Sequence, residues 1–290
     1  MTGAGGQVGA AAARLGESGV VGLNRADLDV TDADAVRRAV RVHAPDVVVN
    51  AAAYTAVDRA EAEPDLAFAV NAGGAGHVAA ACAEAGVPLV HLSTDYVFDG
   101  TEGAPYTPAD SPAPLGAYGA SKAAGEAAVR AALDRHLVVR TAWVFGGRTG
   151  FVATMLRLAT ERDRLGVVAD QWGHPTPAAD LARACLHVAR LAAEDRAPWG
   201  TWHVAGSPLA TWHGLASEAV RAGAERGAVP HVPVEPIATA DYPTAARRPA
   251  RVELELGPSL AALGLDPIDW RGGVADAVEE WAAGGGAPRS

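Results

Sequence analysis

The chain is poor in cysteine, in aromatic residues and in long apolar runs. Of its 290 residues only 2 are cysteine and 6% are aromatic. Cys82 and Cys185 each sit in an apolar helical pattern, so they are expected as small core residues and not as a disulfide or a metal pair. The 9 histidines are scattered without the i, i+4 helical spacing or the cysteine clustering that zinc needs, so no metal site is expected. No hydrolase triad is discernible. No signal peptide is evident and no apolar run reaches ~18 residues, which predicts no membrane partner and a cytoplasmic location. Positive charge is also in deficit. With 24 Lys and Arg against 34 Asp and Glu, the net charge of −10 argues against a duplex-binding surface and so against a nucleic-acid partner. A single nucleotide needs only a local site and is not excluded.

What is present is enough apolar material for a large core. Hydrophobic residues make up 49% and charged residues 20%, a globular balance that fits one large domain or two small ones. From Val20 to Arg140 short apolar strands alternate with helical patterns. Strands are predicted at Val20–Leu23, Asp46–Asn50, Val87–Ser93 and Leu137–Arg140. Helices are predicted from an Asp32 cap to His43 before Pro45, and from about Pro64 to Ala85 with Gly86 as terminator. This alternation predicts an α/β, doubly wound parallel sheet of Rossmann type, with its ligand at the carboxyl ends of the strands. Residues 1–150 are expected to form the dinucleotide-binding domain. Residues 151–290 lose the alternation and are expected to be mainly a substrate-binding region, interleaved with the first. The tail from Gly284 to Ser290 is expected to be disordered.

The first nine residues hold Gly3, Gly6 and Gly9 at a three-residue spacing. Such a glycine turn lets a pyrophosphate approach the backbone at a helix N-terminus. The motif belongs after a buried strand, and only Met1 and Thr2 precede it here. Either the stretch is a flexible glycine tail, or the natural start lies a few residues upstream; the second is our expectation. After the second strand stands Arg25, with the first acid at Asp27. An arginine there favours the 2′-phosphate of NADPH over the free ribose hydroxyl of NADH; a plain surface cation is the alternative.

The third to fifth strands end in polar residues: Asn50 to Tyr54, Ser93 to Tyr96 and Thr141 to Trp143. Tyr118 begins the helix after the fourth strand, with Lys122 one helical turn on. A phenol is a weak acid, with a pKa near ~10. An ammonium beside it stabilises the phenolate and draws that pKa toward neutrality, where proton transfer is efficient. The pair is suited to protonating the alkoxide formed when a ketone accepts hydride. Further on, Asp170 to Pro177 is a dense polar-aromatic turn. His174 in it is either a substrate contact or an ordinary loop histidine. Arg247, Arg248 and Arg251 form a cationic cluster suited to phosphates, or a basic surface loop.

Six stretches in order, from Thr2-Gly-Ala-Gly-Gly-Gln-Val-Gly9 through Asn50-Ala-Ala-Ala-Tyr-Thr-Ala-Val-Asp58, Ser93-Thr-Asp-Tyr-Val-Phe-Asp-Gly100, Tyr118-Gly-Ala-Ser-Lys122 and Arg140-Thr-Ala-Trp-Val-Phe145 to Asp170-Gln-Trp-Gly-His-Pro-Thr176, carry a resemblance over nearly the whole chain. The sequence resembles the extended short-chain dehydrogenase/reductases, and within them the dTDP-4-dehydrorhamnose reductase family. The resemblance implies NADPH, or NADH, over Gly3, Gly6, Gln7, Val8 and Gly9, with Asp29 and Val30 near the adenine and Ala51, Ala52 and Ala53 beside the cofactor. It implies that Lys122 holds the nicotinamide ribose and depresses the Tyr118 pKa, and that Thr94 binds the substrate oxygen. Val57, Tyr96 and Trp143 would line the sugar pocket, with Arg248 near the substrate. The implied reaction is reduction of the C4 ketone of a dTDP-4-keto-6-deoxy-L-hexose, giving dTDP-L-rhamnose or a related deoxysugar nucleotide. A dTDP-dihydrostreptose synthase of antibiotic sugar biosynthesis is the near alternative. A non-catalytic partner like the regulatory subunit of methionine adenosyltransferase is the distant one. A homodimer is possible in this family. Some members are associated with Mg2+, for which Glu280 is a loose positional match. The chain departs from the family at Arg248-Pro249-Ala250-Arg251-Val252, where the family pattern carries an Asn and a Ser.

Overall fold

Local capping chemistry and apolar periodicity place the elements, and the computed structural model describes residues 1–146 and 148–286. Helix α1 (Gln7–Arg14) follows the glycine turn at once. Helix α2 (Ala33–His43) begins at Asp32, whose carboxylate accepts from the amides of Asp34 and Ala35 and so satisfies two donors that the first turn leaves open. Strand β1 (Val48–Asn50), α3 (Val57–Ala62), α4 (Pro64–Phe68), α5 (Ala75–Ala85), β2 (Leu89–Thr94), α6 (Ala117–Ala132), β3 (His136–Thr141) and β4 (Val144–Phe145) follow. Then come α7 (Phe151–Glu161), β5 (Leu165–Val168), β6 (Trp172–Gly173), β7 (Thr176–Pro177), α8 (Ala178–Ala193), β8 (Gly200–His203), β9 (Gly206–Ser207), β10 (Ala210–Thr211) and α9 (Trp212–Glu225). Strand β11 (Val234–Ile237), α10 (Gly257–Leu263), β12 (Ile268–Asp269) and α11 (Trp270–Trp281) complete the order. Of the tail expected to be disordered, Gly284 to Gly286 continue from α11 in a last turn, and residues 287–290 lie outside the described residues.

The central sheet runs β1-β2-β3-β8, every pair parallel, with Val49 opposite Val90, Val90 opposite Leu137 and Leu137 opposite Gly200. Helices α2, α5 and α6 cover one face and α1 and α8 the other, the doubly wound arrangement that parallel strands with helical crossovers require. Strand β8 comes from the second half of the chain yet forms the outer strand of this sheet. A separate core, built on Phe145, Leu156, Leu215, Val220, Val274 and Trp281, holds α7, α9 and α11 together beyond the strand ends. Cys82 and Cys185 are free and buried, and burial pushes both thiols up to about 12.

Helices α4 and α5 are joined by a π-helical segment at Ala69–Gly74, so Pro64–Ala85 is one helical stretch of 22 residues with mean hydropathy 1.3. It is long and apolar enough by length and composition to cross a bilayer, but Asp65, Asn71, His77 and Glu84 interrupt it and 44% of its apolar window is buried within the fold. The strand expected at Val20–Leu23 shrinks to a single bridge at Leu23, opposite Thr2. Thr2 bridges both Leu23 and Asn50 in parallel. Met1 and Thr2 occupy the central place. The Thr2 amide donates to Val49 O at 2.9 Å, and the Leu23 amide to Met1 O at 2.8 Å. The terminal ammonium donates to Val21 O, and burial lowers its pKa.

Candidate active site

The site forms where β1, β2 and β3 end. At the first turn, Gly3 has φ of +71°, and a Cβ there would lie 2.6 Å from the Ala51 carbonyl; only glycine meets both conditions without strain. Gly6 precedes α1 without any side-chain cap, so the first amides of α1, around Gln7, Val8 and Gly9, face outward as donors for an anion. Gln7 Nε2 donates to Val144 O at 3.2 Å, while its buried Oε1 has no protein partner. These features fit a dinucleotide pyrophosphate. Ala51, Ala52 and Ala53 run partly buried beside this turn. Asn50 holds them: its Oδ1 accepts from Thr2 Oγ1 at 2.7 Å and from the Ala52 amide at 3.2 Å.

Arg25 is exposed in the turn that follows Leu23. The Asp29 carboxylate accepts from the amide and hydroxyl of Thr31, and those bonds hold its pKa down. Val30 turns its side chain into the core against Gly74 and its carbonyl to His77. Only its backbone edge remains near the place expected for adenine.

Strand β2 ends at Thr94, and α6 brings Tyr118 and Lys122 to it. Tyr118 stands beside Thr94, and desolvation pushes the phenol up to about 12. Lys122 is buried, and its Nζ donates to Leu92 O at 2.6 Å. Desolvation lowers the ammonium to about 8, opposed by the Glu126 carboxylate one turn on. The implied depression of the Tyr118 pKa by Lys122 is therefore not what this structure gives. The phenol is partly desolvated at the strand end, and the Lys122 ammonium is directed at the strand carbonyl.

Tyr96 packs edge-on against Tyr118, with ring centroids 5.6 Å apart. Val57 is partly buried at the start of α3. Trp143 stands between β3 and β4 with φ of +42°, an uncommon conformation for a bulky residue and one that concentrates at functional sites. Its ring stacks on Trp212 at 3.7 Å. Gly173 lies so close that a Cβ there would meet Trp143 Cε2 at 2.5 Å.

The arginine cluster divides. Arg248 gives Nη1 and Nη2 to the two oxygens of Asp58, at 3.0 and 2.7 Å, so its charge is paired within the protein. Arg251 pairs with Glu253 and lies over the Trp172 ring. His174 is buried, with one ring nitrogen on Gly206 O and the other accepting from the Leu254 amide; it joins loops and leaves no nitrogen for a substrate. Glu280 pairs with Arg14 at 3.1 Å. Among the described residues no group of acidic, histidine or cysteine side chains is gathered to hold a metal.

Four residues at the site were not picked out by sequence. Asp95 is buried beside Thr94, whose hydroxyl donates to it at 3.0 Å, and desolvation raises its carboxyl to about 7. Asn71, in the π-helical segment, bonds both the amide and carbonyl of Tyr54 and donates to Ser121 Oγ on α6. Glu126 is buried and accepts from Arg140, Ser93 and Arg130. Asp58 grips Arg248. The signal for Asp95 and Asp58 lay within the quoted motifs; that for Asn71 was a lone polar residue in an apolar helix.

Comparison with known proteins shows the family. The family model described as the RmlD substrate binding domain matches residues 1–283. A dTDP-4-dehydrorhamnose reductase of Mycobacterium tuberculosis is 44% identical over 289 residues, covering 96% of this chain and 91% of that protein. Among solved structures, a dTDP-4-dehydrorhamnose reductase from Clostridium acetobutylicum superposes with a TM-score of 0.87 at 35% identity, covering 96% of this chain and 97% of that one. The Bacillus anthracis reductase, in complex with NADP, gives 0.87 at 34% identity with the same coverage. The chain belongs to the RmlD substrate binding domain family, the family of the dTDP-4-dehydrorhamnose reductases.

Proposed function

We propose that the protein reduces the C4 ketone of a dTDP-4-keto-6-deoxy-L-hexose with NADPH, in the synthesis of dTDP-L-rhamnose. The observation that carries this reading is the joining of Thr94, Tyr118 and Lys122 at one strand end, beside an uncapped glycine turn. Gly3, Gly6, Gln7, Val8, Gly9, Ala51, Ala52, Ala53, Tyr118 and Lys122 would hold the cofactor. Arg25 would meet a 2′-phosphate, and Asp29 and the Val30 backbone the adenine end. When bound, the nicotinamide supplies the hydride.

The side chains of the protein manage the proton. Tyr118 donates its phenolic proton to the oxygen at sugar C4. A phenol at about 12 is still much more acidic than a secondary alcohol, so transfer to a developing alkoxide runs downhill. Thr94 orients the phenol and the substrate oxygen. Lys122, held by Leu92 O, offers a positive charge as the phenolate forms. Val57, Tyr96 and the Trp143 ring would close the pocket around the sugar and exclude water. In this reading, roughly residues 1–150 serve the cofactor and residues 151–290 mainly the substrate, interleaved through α8 and β8.

The test is incubation with dTDP-4-keto-6-deoxyglucose, a 3,5-epimerase and NADPH, followed by NMR of the product. A dTDP-L-6-deoxyhexose with a new C4 hydroxyl supports the reading. Absence of NADPH oxidation with any dTDP-keto sugar overturns it.

A further inference from the structure

Helix α3 joins two parts of the molecule that are distant in sequence. Asp58 and Glu61 lie three residues apart, on one face of it. Glu61 Oε1 accepts from the Ala117 amide at 2.8 Å, at the start of the helix that carries Tyr118. Asp58 faces the C-terminal half. Its Oδ1 accepts from Arg248 Nη1 and from the Ala246 amide, both at 3.0 Å, and its Oδ2 from Arg248 Nη2 at 2.7 Å. Two parallel bonds from a planar guanidinium to a carboxylate fix orientation as well as distance.

The segment that Asp58 grips has little else to hold it. Residues 238–245 are all exposed, and Ala246 is the one buried residue between 238 and 249. Downstream the chain is tied again where the Trp172 amide donates to Ala250 O at 2.9 Å. Upstream it leaves β11, where Thr239 is bonded to Asp170. Residues 240–249 therefore form a strap pinned at both ends and clasped in the middle by Asp58. The clasp stands at the pocket. The Arg248 guanidinium is near enough to Tyr96 for each to act on the other's charge, and Tyr96 packs on Tyr118.

We infer that Asp58 is a positioning residue for the nucleotide-linked sugar: it clasps Arg248, and with it the strap of residues 240–249, against Tyr96 at the rim of the Tyr118 pocket. Arg248 acts as a fixed wall of the sugar site. The kinetic part of this inference rests on the proposed reduction; the structural part does not.

Both parts are tested with Asp58→Asn, Asp58→Glu, Arg248→Gln and the Asp58→Asn/Arg248→Gln double variant in the full chain. Loss of a charged hydrogen-bonded pair is expected to raise KM for the keto sugar about tenfold. The kcat and the NADPH Kd should stay within about twofold. The double variant should be no worse than either single one, because both remove the same contact. Asp58→Glu should recover part of the loss. Limited trypsinolysis, followed by mass spectrometry, reads the clasp without any substrate. Cleavage after Arg247 should be about tenfold faster in Asp58→Asn, while Pro249 protects the bond after Arg248. Unchanged KM together with unchanged cleavage after Arg247 overturns the inference. So do additive effects in the double variant, or cleavage that rises equally throughout the chain. If the unaltered protein reduces no keto sugar, the proposed reaction fails, and the cleavage rates alone decide the clasp.

Discussion

Lys122 Nζ donates to the Leu92 carbonyl oxygen at 2.6 Å, which fastens the first turns of α6 to the strand that ends in Thr94. Every other cation among the 24 Lys and Arg side chains is an arginine. The one lysine of the chain is thus buried, directed at a strand and one turn from Tyr118. That placement makes its chemistry unusually easy to follow.

The side-chain NMR signals of Lys122, the one lysine of the sequence, should titrate with a midpoint near pH 8, since desolvation brings the ammonium down to about 8. An ordinary lysine midpoint near ~10.4 would contradict the burial described here. The folded-state pKa lies below the unfolded value, so this group weakens the fold while charged. Its penalty is lifted as pH rises from about 8 toward 10.5.

Tyr118→Phe removes the proton donor and little else. Turnover should fall by ~10²–10⁴, with NADPH binding, followed by nicotinamide fluorescence, nearly unchanged. Near-normal turnover would remove Tyr118 from the mechanism.

Asp95 gives the opposite pH sign to an ordinary ion-paired carboxylate. Desolvation raises it from 3.8 to about 7, so the folded state binds its proton more tightly than the unfolded chain. Its contribution is fully present below the unfolded pKa and is lost as pH rises through the folded one. The stability of the unaltered protein relative to Asp95→Asn should therefore fall between about pH 4 and pH 7. Parallel denaturation curves for the two proteins across that range would contradict it.

Glu126 and Arg140 form a buried pair, with bonds of 2.9 and 2.8 Å. Removing one partner leaves the other charge without a match. Glu126→Gln should cost about 3–5 kcal/mol in urea unfolding. Removing both in Glu126→Gln/Arg140→Met should recover a large part of that. A double variant weaker than the single would show that the pair is needed for more than mutual neutralisation.

Gly173→Ala would drive a methyl group into the Trp143 ring. The near-ultraviolet circular dichroism of the Trp143–Trp212 stack should change, and KM for the sugar should rise by about tenfold for a displaced pocket wall. An unaltered spectrum would mean that the ring yields without effect.

The features legible in the sequence are those settled within a few residues. Asp32 caps α2 and Gly86 ends α5 through contacts on the neighbouring turn. Tyr118 and Lys122 share a face because a helix repeats that often. What escaped depends on partners far along the chain. Arg248 read as a free cation until Asp58, 190 positions away, was found on it. The pKa of Tyr118 followed from desolvation in the assembled site, which no spacing records. The strand expected at Val20–Leu23 is reduced to one bridge at Leu23, a pairing with Thr2 that its own apolar pattern does not record. The solitary lysine was a signal within plain sight, since a chain that uses arginine everywhere else places its one ammonium at Tyr118.

Strand β8 has a consequence for how the protein is made. A chain growing on the ribosome can assemble β1, β2 and β3 early, yet the sheet keeps a raw flank until residues 200–203 emerge and pair with β3. Until then the β3 edge is a template for any passing strand. The nascent enzyme is most open to mispairing with a neighbour on the same message during that interval, well before its pocket is complete.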